Sequence, residues 1–146
     1  MKNEMELSFC AIAENEALAR MVISAFLVCV NPTVSTITEV RTAVSEAVTN
    51  AIVHAYAEKN AGRVVMRSVL DTDRVTIEIE DFGCGIGDIE QAMKPFYTSH
   101  PEHERSGMGF SLMQSFMDGV QVFSVQGKGT KVIMTKLLHE DERDAL

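Results

Sequence analysis

Residues 63–88 read RVVMRSVLDTDRVTIEIEDFGCGIGD, and the fold is decided inside this stretch. Apolar and polar residues alternate over 63–70 and again over 74–80, the period of strands with one buried face. Asp71-Thr72-Asp73 between them is turn material, so the two strands pair as an antiparallel hairpin. The second strand runs directly into Asp81-Phe82-Gly83-Cys84-Gly85-Ile86-Gly87, a glycine-rich loop.

Upstream, the period is helical. Residues 35–56 form a helix whose buried stripe is Ile37, Val40, Val44, Val48, Ala51 and Ala55, with Ser35 as N-cap. Residues 14–30 form an earlier helix, stopped by Asn31-Pro32, where proline forbids continuation. Residues 5–11 read as an opening strand. Downstream come a short helix over 88–94 and an aperiodic loop over 95–106 with two prolines, expected to be mobile. Gly107 opens a third main helix through Met117, and strands 120–125 and 130–136 flank Gly127-Lys128-Gly129. A polar tail follows, expected to fray. Helices and strands are segregated, which predicts an α+β fold: a two-layer sandwich of a mixed, mostly antiparallel sheet under three main helices, one domain over 1–146.

The 146 residues are 46% hydrophobic and 23% charged with a net charge of -8, ordinary for a packed core and adverse to nucleic-acid binding. The longest apolar stretch, residues 21–30, is too short to cross a bilayer, and MKNEMELSF lacks an apolar signal core. Cys10, Cys29 and Cys84 are odd in number, with no CxxC pair and no zinc spacing. A cytoplasmic protein without membrane or nucleic-acid contacts is expected.

Three motifs carry chemistry. Glu46, Asn50 and His54 recur every four residues and share one helical ridge beside the apolar stripe. A carboxylate and an amide oxygen on adjacent turns can offer a proton acceptor and a metal ligand to one substrate, although a solvated polar stripe has the same spacing. Asp81, at a strand end, can accept a hydrogen bond from an exocyclic amine such as adenine's, and Gly83, Gly85 and Gly87 permit close approach of a flat ring. A plain turn would also hold glycines. Arg105-Ser106-Gly107-Met108-Gly109 stands at a helix start, where N–H groups and the helix dipole suit phosphate, as they would any glycine-flanked start. Arg105 is the only cation of the 95–106 loop besides histidines, placed to neutralise transferring charge. Gly129-Thr130 can set a hydroxyl on the base or simply make a turn. No P-loop run occurs, no HRD loop accompanies the DFG, and GxGxxG fails at Asp88.

The order of these motifs resembles the GHKL family of gyrase, Hsp90, histidine kinases and MutL, whose ATP pocket is the Bergerat fold. Residues 46–54 resemble its N box, 81–85 its G1 box and 107–109 its G2 box. SEAVTNAIVHAY, ERSGMGF and the N-terminal strand and helix are similar to the anti-sigma-factor serine kinases of spore-forming bacteria, nearer the sporulation (sigma F) branch than the stress (sigma B) branch. The resemblance implies ATP/ADP and Mg²⁺ as ligands, with Asn50 on the metal, Glu46 as general base, and Asp81 assisted by Thr130 on adenine. It implies His54, Gly83, Gly85, Gly87, Ser106, Gly107, Met108 and Gly109 around the nucleotide and Arg105 on the γ-phosphate. It also implies a homodimer that binds a sigma F-like sigma factor and phosphorylates an anti-anti-sigma protein on serine. The lid lysine of relatives has no counterpart near Ser99 and His100. The alternatives are a sigma B-type stress kinase and a non-catalytic, ATP-dependent sigma-binding module. A histidine kinase or an ATPase clamp would need a phosphoacceptor or transducer domain for which these residues leave no room.

Overall fold

Alternation and helical stripes yield the order β1 (Lys2–Cys10), α1 (Asn15–Leu27), α2 (Val34–Asn50), β2 (Arg63–Asp71), β3 (Arg74–Asp81), α3 (Gly109–Phe116), β4 (Gly119–Val125) and β5 (Gly129–Leu137). This computed structural model describes residues 2–55, 62–87, 93 and 109–139. The helix expected over 88–94 (Met93 apart), the loop over 95–106 and the tail beyond 139 lie outside the described residues.

The strands form one sheet in the order β1-β2-β3-β5-β4, and all four pairings are antiparallel, the predominant kind expected. β1 starts three residues earlier than its alternation suggests, because Lys2 through Cys10 pair in register with the whole of β2. The β2–β3 loop is the two residues between the paired Asp71 and Arg74, with Thr72 held at φ 59, uncommon for a β-branched residue.

Period two sorts each strand into an inward and an outward column. On β3, Val75, Ile77, Ile79 and Asp81 are buried, while Thr76, Glu78 and Glu80 face outward. On that outer face, Arg67 of β2 lies among Glu80 at 2.9 Å, Glu6 at 3.1 Å and Glu78 at 3.6 Å. The inward columns meet the helices, with α2 contacting both α1 and α3. Its buried residues are Val40, Ala43, Val44, Ala47 and Val48; Ile37 is half-buried. The expected Val40, Val44, Val48 and Ala51 are buried, and Ala43 and Ala47 widen the stripe beyond the one expected. Each fully buried aliphatic such as Ile23, Leu27 or Ile77 stabilises the fold by about 1.5–3 kcal/mol.

Helix ends depart from the sequence reading for local reasons. After Leu27 the first helix tightens to a 3-10 turn over Val28–Val30, and Asn31, left-handed at φ 49, donates its N–H to the Val28 carbonyl at 3.0 Å. The N-cap of α2 is Thr33 rather than Ser35: its hydroxyl accepts the Thr36 N–H at 3.1 Å. Beyond Asn50 the α-helical pattern widens into a π-helical turn, Ala51–Ala55, a rarity that concentrates at functional sites. Arg20 pairs with Glu16 at 3.1 Å, and Glu16 also accepts the Ser45 hydroxyl of α2. Met113 and Met117 are buried in the core.

Candidate functional site

Toward one end of the sheet, the inward columns of three adjacent strands turn from apolar to polar. On β3 the column ends in Asp81, on β5 it reaches Thr130 after Met134 and Val132, and on β4 it runs Val120, Val122, Ser124. Register makes these three polar residues neighbours, since Asp81 pairs with Thr130 and Ser124 pairs with Thr130. Three polar side chains thus stand in a row under the helical layer.

Asp81 is only 7% exposed. The N–H groups of Gly83, at 3.0 Å, and Thr130, at 3.2 Å, donate to its Oδ1. Both bonds fall on that one oxygen, which leaves Oδ2 available to an incoming donor. Burial pushes the carboxyl up to about 6; the two N–H groups oppose the rise and the charge of Glu80 adds to it. Near neutrality this is a mostly ionised, desolvated acceptor, suited to an N–H donor that is itself neutral. Perturbed carboxylates of this kind concentrate at functional sites.

The glycines serve the chain itself more than the sequence suggests. Gly85 sits at φ 76, and a Cβ there would lie 2.5 Å from the Val125 carbonyl oxygen. Its lack of a side chain lets the loop dock on the β4–β5 hairpin, where the Gly127 N–H also reaches the Cys84 carbonyl at 2.6 Å. Gly129 is more constrained still: at φ 132, its missing Cβ would fall 2.2 Å from the Asp81 carbonyl oxygen. In the sequence that position reads as an ordinary turn, because nothing local reveals the approach of β3. Gly87 is exposed near the Gln126 side chain.

A second group forms where α2 meets α3. Glu46 and Asn50 are half-buried on α2, one turn apart. The point where a Cβ would stand on Gly109, the first residue of α3, lies 3.2 Å from Asn50 Nδ2, 3.3 Å from Asn50 Oδ1 and 3.5 Å from Glu46 Oε2. Two motifs far apart in the chain therefore meet, with an acid and an amide facing the positive end of a helix. An amide oxygen beside a carboxylate suits a hard cation that keeps waters and takes its remaining ligands from phosphate. No cluster of three or more His, Cys, Asp or Glu side chains able to hold a metal unaided occurs among the described residues. The side chain of His54, and Arg105, Ser106, Gly107 and Met108, lie outside the described residues.

Ser124 does not stand out in the sequence. The available signal is a hydroxyl in a column otherwise filled by valine, the same interruption that marks Asp81 and Thr130. Among the described residues no helix is long and apolar enough to cross a membrane, and the three cysteines form no disulfide.

Residues 9–136 match the family model of the histidine kinase-like ATPase domain. The chain is 49% identical over 142 residues to the anti-sigma F factor of Oceanobacillus iheyensis, covering 97% of each. It is 52% identical over 136 residues to the anti-sigma F factor of Clostridium acetobutylicum, covering 93% of this chain and 94% of that one. Among solved structures, the RsbU and RsbW domains of a Mycobacterium tuberculosis protein align with a TM-score of 0.70 at 18% identity, over 95% of this chain and 33% of that one. The catalytic domain of the histidine kinase ThkA aligns with a TM-score of 0.56 at 15% identity, over 92% and 96%. At such identities the structural likeness speaks for the fold alone, whereas the sequence matches run nearly end to end. The chain belongs to the histidine kinase-like ATPase family and, within it, to the anti-sigma F factors.

Proposed function

We propose that this protein is an ATP-dependent protein-serine kinase and anti-sigma factor, which binds a sigma F-like sigma factor and phosphorylates its anti-anti-sigma antagonist on serine. The observation that carries the reading is the meeting of Glu46 and Asn50 with Gly109, on the same helical side of the sheet as the carboxyl of Asp81. The names of the relatives support the sigma factor as partner.

In this reading the adenine amine donates to Asp81 Oδ2, with the Thr130 hydroxyl on the same edge of the ring. Gly83, Gly85 and Gly87 border the base through the loop backbone, and His54 follows Asn50 along the nucleotide. Ser106, Gly107, Met108 and Gly109 offer N–H groups to the phosphates at the start of α3. Asn50 Oδ1 would hold Mg²⁺, which would supply neutralising charge to the phosphates. Glu46 accepts the proton of the substrate serine as its oxygen bonds to the γ-phosphorus; the bond to the β–γ bridging oxygen breaks and ADP leaves. Arg105 steadies the charge on the transferring group. Most of the catalysis is positioning, which a half-buried acid one turn from the metal ligand supports. The protein works in this reading as a cytoplasmic homodimer.

Incubation with labelled ATP, Mg²⁺ and the cognate antagonist puts label on a serine if the reading holds. Glu46→Gln lowers that rate about 10²-fold or more while leaving ATP bound. Full-rate labelling by the variant removes Glu46 as the base, and absence of ATP binding by the native chain removes the whole reading.

A further inference from the structure

The nucleotide reading above assigns no part to Ser124. Its hydroxyl carries one proton and two lone pairs. It accepts the Ile86 N–H at 2.7 Å, and stands 3.1 Å from the Gly129 carbonyl oxygen and 2.9 Å from Thr130 Oγ1. A carbonyl only accepts, so the proton count permits two arrangements. In the first, Ser124 donates to Gly129 and Thr130 donates to Ser124, so Thr130 presents only lone pairs to a ligand. In the second, Ser124 donates to Thr130 Oγ1, and the Thr130 proton is released toward a ligand acceptor. Hydroxyl rotation alone interconverts them.

We propose that Ser124 is a positioning residue for purine recognition, holding the Thr130 hydroxyl beside Asp81 and turning its own proton toward Thr130 so that Thr130 donates to adenine N1. The inference rests on the nucleotide reading above and deepens it. Adenine presents a donor, the exocyclic amine, next to an acceptor, N1; Asp81 supplies the matching acceptor and Thr130 the matching donor. The donors then all point one way, from the Ile86 N–H through Ser124 and Thr130 to the base, an order in which each hydrogen bond strengthens the next. The same hydroxyl ties the glycine-rich loop to β4, so the loop and the hydrogen-bonding edge are held by one side chain.

The test deletes one atom from each partner. Calorimetry compares Mg-ATP with 1-deaza-ATP, in which N1 is a C–H, on the full chain and on Ser124→Ala, Ser124→Cys and Ser124→Thr. The native chain is expected to prefer ATP by about 5- to 30-fold. In Ser124→Ala the preference falls below about 3-fold, and Ser124→Thr, which keeps the hydroxyl, restores it. If Ser124→Ala does not fold by circular dichroism, the near-isosteric and weakly donating Ser124→Cys gives the same reading. A purely structural role weakens both nucleotides equally; an unchanged ratio in Ser124→Ala, or a ratio of one in the native chain, overturns the inference. A native chain that binds neither nucleotide overturns the ATP reading itself, and this inference with it.

Discussion

Asp81, Thr130 and Ser124 are placed by strand register, whereas Glu46 and Asn50 are placed by the packing of α2 against α3. The two devices differ in kind. Register is all or none, since a slip of one residue turns every side chain to the opposite face. Helix contact is graded, and Gly109 sets how closely α3 approaches the acid and the amide. The row on the strands therefore behaves as a fixed template, and the helical seam as an adjustable one.

The largest effect is expected where the template is tightest. Gly129→Ala places a Cβ against the Asp81 carbonyl at a backbone angle that only glycine tolerates, and is predicted to destabilise the fold by more than about 3 kcal/mol in urea unfolding. Asp81→Asn separates stability from binding. Loss of the charged acceptor is predicted to weaken nucleotide binding about 10- to 150-fold, read by calorimetry. The ligand-free variant should nonetheless be more stable at pH 7, by about 1–3 kcal/mol, because it removes a desolvated charge.

The sign of that gain fixes its pH dependence. The folded carboxyl, at about 6, holds its proton longer than the unfolded one at 3.8. The advantage of the protonated native state is complete below 3.8 and is lost as pH rises through about 6. Unfolding measured from pH 4 to 7 should show the native chain losing stability relative to Asp81→Asn across that window, then running parallel to it. Nucleotide affinity should move the other way, rising as the acceptor ionises.

Gly109→Ala probes the seam. Gained helix propensity and the 3.2 Å contact with Asn50 oppose one another, so stability is predicted to change by less than about 1 kcal/mol while phosphoryl transfer falls about 10-fold. The smallest effect is far from either region: Thr72→Asn relieves a left-handed turn residue and should stabilise by about 0.5–1 kcal/mol in thermal unfolding.

Features set by local physics are legible in the sequence. The alternation of 74–80 carries the eye straight to Asp81, and the four-residue spacing of Glu46 and Asn50 is enough by itself to put them on one side of a helix. The α+β class follows from the segregation of the two periods. What escapes is set by contacts between distant residues. Ser124 is an unremarked serine until β4 is laid in register against Thr130. Gly85 and Gly129 look like turn or ligand glycines, yet they make room for Val125 and Asp81. Thr33 is hidden as a cap because Ser35 offers the same chemistry two residues later; only the hydrogen bond to Thr36 distinguishes them. The residues expected to meet the phosphates, Arg105 to Met108, lie outside the described residues and rest on sequence.

Ser45 and Glu46 are successive residues of α2, one reaching Glu16 and through it Arg20 on α1, the other lying against the first turn of α3. A rod gripped on both flanks cannot roll on one side alone. Any rotation that carries Glu46 toward or away from α3 must tug the charged pair on α1, so these distant flanks move as opposite arms of one lever.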